Sequence, residues 1–169
     1  TATNCVNAAR VVPRKISPNE KLNIAGVGIG GMGRGNIDAC AVSENIVALC
    51  DVDSGYAGGT FKAYPQARRH TDYRKMFDAE GGKIDAVVIA TPDHTHAVIA
   101  MEAVRRGKHV YCQKPLTHSI AEARALTLAA REAGVQTQMG NQGHSSDAIR
   151  RCWEWVRGGV IGPVREVHA

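Results

Sequence analysis

The sequence has few aromatic residues and no long apolar run, and both absences restrict the fold. Phe, Trp and Tyr make up 5% of the 169 residues, which disfavours a sandwich of aromatic-rich strands. No apolar segment approaches the roughly 20 residues of a membrane-spanning helix. Apolar residues still account for 44% of the chain, which is ordinary for a globular protein. The length leaves room for one domain with a full core.

The cysteines lack the spacing of a zinc site or of a disulfide framework. No CxxC pair occurs, and two of the five cysteines, Cys50 and Cys112, each end an apolar run. We therefore expect these two thiols to be buried. The others are Cys5, Cys40 and Cys152.

The positive charge is dispersed, which argues against a nucleic-acid-binding surface. The formal net charge is +5. Basic residues occur in short pairs such as Arg68–Arg69 and Arg150–Arg151, and no stacking aromatic is interleaved with them. We expect a solvated basic surface, with neither a nucleic acid nor a membrane as partner.

Residues 1–20 differ from the rest of the chain. They carry two prolines and show no hydrophobic periodicity, which predicts a flexible tail. They also lack the apolar core of a signal peptide, and composition does not decide the cellular compartment.

From Lys21 onward, short apolar segments alternate with helical ones. The apolar segments are almost continuous, as in strands buried on both faces, and predict a doubly wound parallel α/β sheet, the Rossmann fold. This domain is expected to cover 21–160, with 161–169 as the first strand of a truncated second α/β domain. Predicted strands are 22–28, 45–50, 85–90, 109–112 and 135–139; predicted helices lie near 31–41, 55–63, 73–78, 94–106 and 145–157.

Three sequence signals define helix ends or faces. Ser119 and Glu122 form a capping box that opens a further helix, and Gly134 is placed to end it. In the helix near 145–157, Trp153 and Val156 are expected on the buried side.

The first predicted strand runs into a glycine-rich turn of the form G-x-G-x-x-G. The first glycine allows a tight turn, the second lets a pyrophosphate approach the backbone, and the third permits close packing of the following helix. The helix N-terminus then offers N–H groups to the phosphates. Because a strand precedes the turn and a helix follows it, we expect a dinucleotide site here. Its residues are Gly28, Ile29, Gly30, Gly31, Met32 and Gly33.

An acidic residue ends the second predicted strand. The Asp51 carboxylate can accept hydrogen bonds from the adenosine ribose hydroxyls, and it would repel a 2′-phosphate. Asp53 adds negative charge, and no arginine follows at once. We therefore expect NAD as cofactor, with NADP less favoured. The alternative is that Asp51 is an ordinary turn residue or helix cap.

Polar clusters follow three more predicted strands, and parallel strand ends meet in one crevice. We interpret Asp93 as a helix N-cap and His96 as a polar contact near the nicotinamide. His94 and His96 are two apart at a helix start and face different directions, so we expect no metal site. The clusters are Thr91–Pro92–Asp93–His94–Thr95–His96, Gln113–Lys114–Pro115 and Gly140–Asn141–Gln142.

Lys114 is the candidate catalytic residue. Oxidation of an alcohol by nicotinamide requires a group that takes the hydroxyl proton as hydride leaves. Partial burial and the nearby cationic ring both favour a neutral lysine, which can act as that base. The alternative is an ordinary surface lysine.

Together these motifs resemble the Gfo/Idh/MocA family of oxidoreductases, from about Leu22 to Ala169. The resemblance implies an NAD-dependent dehydrogenase acting on a sugar, cyclitol or related polyol. It also implies a second α/β domain that forms the substrate wall and often an oligomer interface. The matching segments are GVGIGGMGRGN (26–36), ALCDVD (48–53), AVVIATPDHTHA (86–97), GKHVYCQKPLTHS (107–119) and GGVIGPVREVHA (158–169).

The resemblance also assigns roles to individual residues. The family's Glu-Lys-Pro motif falls on 113–115, so the lysine that acts on the substrate hydroxyl would be Lys114, with Gln113 in place of the usual glutamate. We hypothesise that this neutral neighbour favours a base role for the lysine. Near the nicotinamide ribose the resemblance places Thr91, Pro92, Asp93 and His96, and Gln142 is expected to contact the cofactor as well.

The family's other catalytic residues, an aspartate and a histidine, lie in the second domain, beyond Ala169. Residues 1–169 alone are therefore expected to bind the cofactor and to turn over poorly or not at all, and a homo-oligomer would form through the second domain. The tail resembles the segment after a twin-arginine leader, which implies a periplasmic location, whereas without such a leader we expect the cytoplasm.

Two other functions fit the same motifs. Glycosidases of this superfamily retain NAD, oxidise the sugar transiently, eliminate the aglycone and reduce the product. A non-catalytic NAD-binding module is the second alternative, if the chain ends at Ala169.

Overall fold

A computed structural model describes residues 13–168, in which six strands form one parallel sheet. The strand order is β3-β2-β1-β4-β5-β6. Strands β2 and β3 are added on one side of β1 and strands β4 to β6 on its other side, so the order reverses between β1 and β4. This confirms the predicted doubly wound Rossmann fold. The elements are β1 (Asn23–Val27), α1 (Gly31–Cys40), β2 (Asn45–Cys50), α2 (Gly58–Ala63), β3 (Arg68–His70), α3 (Tyr73–Glu80), β4 (Ala86–Ile89), α4 (Asp93–Arg105), β5 (His109–Gln113), α5 (Ile120–Ala133), β6 (Thr137–Gly140), a 3₁₀ turn (Gln142–Ser145) and α6 (Asp147–Arg157).

Helices cover both faces of the sheet, and each face carries its own apolar cluster. Alternate strand residues point to opposite faces, so neighbours such as Ile24 and Ala25 belong to different clusters. One cluster packs against α3, α4 and α5, and the other against α1 and α2. Cys50 and Cys112 are buried as predicted, and burial raises the pKa of each thiol to about 12.

Helix α5 has the ends that the sequence predicted. The Ser119 hydroxyl accepts a hydrogen bond from the Glu122 N–H, and the Glu122 carboxylate accepts one from the Ser119 N–H. Gly134 follows the helix in the left-handed conformation, with φ of 70°. Both predictions are confirmed, because they rest on local chemistry that needs no tertiary partner.

Of the predicted N-terminal tail, residues 1–12 lie outside the described part of the chain. Residues 13–20 form no helix or strand, yet Arg14 attaches them to the sheet. Its Nε and one terminal nitrogen each donate to the Asp85 carboxylate at 2.8 Å. Asp85 also accepts from the Asn23 N–H at 2.8 Å, which places the ion pair at the amino ends of β1 and β4.

Two features of the first four strands and helices differ from expectation. The edge strand β3 (Arg68–His70) was not predicted, because its sequence is polar and it pairs on only one side. Pro92, not Asp93, precedes the first turn of α4, since Asp93 is already helical and no side-chain cap hydrogen bond forms there. Asp93 instead places a negative charge near the positive end of the helix dipole.

The C-terminal segment also corrects one expectation. Trp153 and Val156 are 62% and 45% exposed, so the apolar side of α6 is not buried by the described residues. Residues 164–168 pair with no described strand, and the first strand of a second domain stays a prediction. Among residues 13–168, no helix is long and apolar enough to cross a membrane.

Candidate cofactor-binding and active site

The glycine turn connects β1 to α1 in a conformation that larger residues would disrupt. Gly28 has a φ of 76°, and a Cβ atom there would lie 2.7 Å from the Ala90 carbonyl oxygen. A Cβ atom on Gly33 would lie 1.8 Å from the Gly28 carbonyl oxygen. Both glycines are therefore required for α1 to start directly above β1, with its first N–H groups facing the turn.

The Asp51 carboxylate holds this turn in shape. One oxygen accepts from the N–H groups of Ile29 at 2.8 Å and Gly30 at 3.3 Å, and the other accepts from the Asp53 N–H at 3.0 Å. From the opposite side, the buried Thr60 hydroxyl donates to the Ile29 carbonyl at 2.7 Å. The sequence analysis missed this bracing role, although an acid at the tip of the adjacent strand is the signal for it. The predicted ribose contact of Asp51 stays a prediction.

A cleft of about 620 Å³ lies at the carboxyl ends of β1, β2 and β4, where the strand order reverses. This is the position at which doubly wound folds bind ligands. Apolar atoms dominate its walls, while Asp51, Thr91 and Arg74 add polar groups. The lining residues are Val27, Gly28, Gly30, Cys50, Asp51, Val52, Tyr56, Thr71, Tyr73, Arg74, Ala90, Thr91, Pro92, Thr95, Val98 and Ile99.

Tyr56 covers the glycine turn, which the sequence analysis did not anticipate. Its ring lies where a side chain on Gly30 would be, with Cε1 2.1 Å from the ideal Cβ position. Its hydroxyl oxygen is 2.5 Å from the corresponding position on Gly31. The side chain is 69% exposed, and the loop is shaped by Asp53, which accepts from the Gly55 and Tyr56 N–H groups. The ring therefore stands over the surface that a pyrophosphate would approach.

The loop after β4 contributes Thr91 and Pro92 to the cleft, and their contacts with a cofactor stay predictions. The Thr95 hydroxyl donates to the Thr91 hydroxyl at 2.8 Å, which fixes the Thr91 side chain beside the cleft. Asp93 is exposed at the start of α4, and Met32 is 62% exposed on α1.

His96 is buried beneath this loop, with 1% of its surface exposed. Its Nε2 lies 2.8 Å from the Thr91 carbonyl oxygen, and its Nδ1 lies 2.7 Å from the Pro115 carbonyl oxygen. The imidazole therefore connects the loop after β4 to the loop after β5. The sequence analysis expected a polar contact near the nicotinamide and missed this connection.

The remaining predicted residues lie at the ends of β5 and β6 and on the loops that follow them. Gln113 is 7% exposed, and its amide lies against Gly140. A Cβ atom added to Gly140 would be 2.8 Å from the Gln113 Cδ atom. The Gln113 Nε2 atom is buried and has no hydrogen-bond partner among the described residues. Lys114 follows on an exposed loop. Gln142 donates to the Asn36 side chain at 3.3 Å, which places the loop after β6 beside α1.

The turn and cleft fit a dinucleotide better than a metal ion. The missing side chains at positions 28 and 33 allow the tight turn and the close packing of α1 that a pyrophosphate site requires. Within residues 13–168, no three His, Cys, Asp or Glu side chains come together as a metal site. The donors at the turn are main-chain N–H groups, which suit an anion.

Comparison with known proteins agrees with this geometry. D-apiose dehydrogenase of Paraburkholderia graminis is 29% identical over 161 residues, which are 94% of this chain and 42% of that protein. The 2,7-anhydro-N-acetylneuraminate hydratase of Mediterraneibacter gnavus is 27% identical over 146 residues, 86% of this chain and 38% of that protein. The crystal structure of myo-inositol 2-dehydrogenase from Lactobacillus plantarum superposes with a TM-score of 0.74 at 26% identity, covering 86% of this chain and 43% of that one.

The chain thus spans less than half the length of each of these three proteins. The family model for oxidoreductases with an NAD-binding Rossmann fold matches residues 22–141, which include the glycine turn, Asp51 and the loops after β4 and β5. On this evidence the chain belongs to the Gfo/Idh/MocA oxidoreductase family and contains its NAD-binding Rossmann domain.

Proposed function

We propose that the protein is an NAD-dependent dehydrogenase that transfers hydride between a sugar, cyclitol or related polyol and nicotinamide. The observation that carries this proposal is the glycine turn, held by Asp51 at the edge of a cleft at the switch point of the sheet. The small-molecule substrate class is supported by the relatives, which include a D-apiose dehydrogenase.

The proposed roles separate cofactor binding from proton transfer. The turn from Gly28 to Gly33 would hold the pyrophosphate with main-chain N–H groups, and Asp51 would accept from the adenosine ribose. When bound, NAD supplies the hydride acceptor. Lys114, on the loop after β5, would take the proton from the substrate hydroxyl as the C–H bond breaks. Gln113, at the end of the same strand, would contact the cofactor.

NAD is favoured over NADP because of charge at the end of β2. Asp51 and Asp53 both lie on the loop that follows this strand. A 2′-phosphate on the adenosine ribose would lie beside the Asp51 carboxylate, and like charges in a partly buried site repel strongly. Arg74, which also lines the cleft, is paired with Asp72 at 2.9 Å.

The test is calorimetric titration of the complete protein with NAD and with NADP. We expect NAD to bind more tightly, and Asp51→Ala to weaken NAD binding at least tenfold, because the ribose acceptor and the brace of the turn are lost together. Asp147→Ala, on the exposed start of α6, is the control and should leave binding unchanged. Tighter binding of NADP than of NAD would contradict the cofactor assignment. A screen of sugars and polyols for NADH absorbance then tests the reaction.

One observation favours a second function, a reaction on a sugar in which NAD is reduced and then reoxidised within each turnover. The similar protein from Mediterraneibacter gnavus is a hydratase, which names no net oxidation. A reaction that oxidises the sugar transiently and reduces it again would consume no NAD overall. Release of free NADH during turnover separates the two, because only the dehydrogenase produces it.

A further inference from the structure

His96 contacts a main-chain carbonyl with each of its two ring nitrogens. Its Nδ1 and Nε2 lie 2.7 and 2.8 Å from the carbonyl oxygens of Pro115 and Thr91. A carbonyl oxygen only accepts hydrogen bonds, so the ring is the donor in any hydrogen bond made here.

The two carbonyls belong to the two loops of the proposed active site. Thr91 lines the cofactor cleft at the end of β4. Pro115 directly follows Lys114 on the loop after β5, so a contact to its carbonyl restrains the backbone that carries the lysine. Since His96 is 1% exposed, water cannot replace either contact. The imidazole thus fixes the distance between the cofactor cleft and the lysine-bearing loop.

We propose that His96, which joins the loop after β4 to the loop after β5, is the positioning residue for Lys114. This rests on the proposed function, because Lys114 is assigned there as the base. His96 need not touch cofactor or substrate: it acts by holding the lysine-bearing loop against the end of β4. A displacement of about 1 Å at a reacting group lowers the rate by about 100-fold, so a lost contact at Pro115 has a measurable kinetic consequence.

The first experiment needs no turnover. Nitrogen-15 NMR of the complete protein, with histidine labelled, detects ring N–H groups that exchange slowly with water. We expect such a signal for His96, because its ring is 1% exposed and lies within 2.8 Å of two carbonyl oxygens. The exposed His94 is the internal reference and should give none. A His96 ring N–H that exchanges as fast as that of His94 overturns the proposal.

The second experiment measures positioning. His96→Asn keeps one donor and cannot titrate; we expect kcat to fall about 10- to 100-fold, with the dissociation constant for NAD changed less than about twofold. His94→Asn is the matched control, two residues away and exposed, and should behave as the wild type. An unchanged kcat in His96→Asn overturns the proposal.

The two experiments keep this proposal separate from the proposed function. If the wild-type protein oxidises no polyol, the dehydrogenase assignment fails, while the nitrogen spectrum still tests the contact of His96 with the two loops. If His96→Asn does not fold, the spectrum of the wild type decides. If the wild type turns over and the variant matches it, only the positioning role fails.

Discussion

Substitution of Gly33 by alanine tests whether the fit between α1 and β1 creates the cofactor site. The added Cβ would lie 1.8 Å from the Gly28 carbonyl oxygen and 3.3 Å from the Ala90 Cβ. Contacts below 3.0 Å are essentially never seen for a Cβ atom, so α1 would have to move by about 1.2 Å or more. The obstacle is main chain in a tight turn, so a side-chain rotation cannot relieve it.

Two opposing contributions determine the change in the free energy of unfolding: overpacking lowers it, and the higher helix propensity of alanine raises it. Overpacking costs about 1 to 3 kcal/mol, and a backbone obstacle places this site near the upper end. Alanine is favoured over glycine inside a helix by about 1 kcal/mol. The free energy of unfolding of Gly33→Ala should therefore fall by about 2 kcal/mol, and Tm by about 4 to 8 °C for a chain of this size.

Gly35 provides the matched control in the same helix. A Cβ atom there has nothing within 4 Å, so Gly35→Ala should raise the free energy of unfolding by up to about 1 kcal/mol. Urea unfolding of both variants, followed by circular dichroism, measures the difference, and calorimetry measures NAD affinity. We expect Gly33→Ala to bind NAD at least tenfold more weakly, because the first N–H groups of α1 move with the helix. Equal stability of the two variants would refute the reasoning.

Three further predictions concern other residues. Tyr56→Ala should bind NAD faster in stopped-flow measurements and at least as tightly, because the ring no longer covers the turn; weaker binding would show that the ring belongs to the adenosine site. Gln113→Glu should move the pH–rate profile to higher pH, because a carboxylate stabilises the protonated form of Lys114; an unmoved profile would contradict the base role. Burial alone raises the pKa of Asp85, but hydrogen bonds from Arg14 and the Asn23 N–H outweigh it and lower the pKa on balance. The carboxylate thus stabilises the fold above a pH of about 4 and this contribution is lost as the pH falls further, so Asp85→Asn should flatten the acid dependence of the urea midpoint; an unchanged dependence would argue against the ion pair.

The sequence predicted those parts of the fold whose signals are local. The glycine turn, the capping box of α5 and the buried strands each depend on neighbouring residues or on simple periodicity. The edge strand β3 has neither signal, because its three residues are polar and pair with one neighbour. The exposed side of α6 was predicted to be buried because amphipathic spacing indicates an apolar face, but it does not say which partner covers it.

The candidate site was predicted by residue type more accurately than by contact. Asp51 and His96 were both selected as polar groups that bind the cofactor. In the structure their side chains contact main-chain groups, Asp51 at Ile29 and His96 at Thr91 and Pro115, and their cofactor contacts stay predictions. The position of Asp51 at a strand tip is a signal for its contact, whereas the main-chain partners of His96 leave no mark in the sequence. Tyr56 was missed for a related reason, since its ring reaches the turn from a loop with no periodic pattern.

The hydrogen bonds of Asp51 also limit how the cofactor preference of this protein can be engineered. A conventional attempt to accept NADP would replace the acid at the end of β2 with a small or basic residue. Here that change would also release the N–H groups of Ile29 and Gly30, and the turn would lose its brace together with its negative charge. A working redesign therefore has to supply a neutral acceptor at position 51, such as Asp51→Ser or Asp51→Asn, and place the phosphate-binding cation elsewhere in the cleft. Under the proposed cofactor assignment, one side chain sets both the charge at the end of β2 and the shape of the turn, so a substitution that changes the charge has to keep the hydrogen bonds.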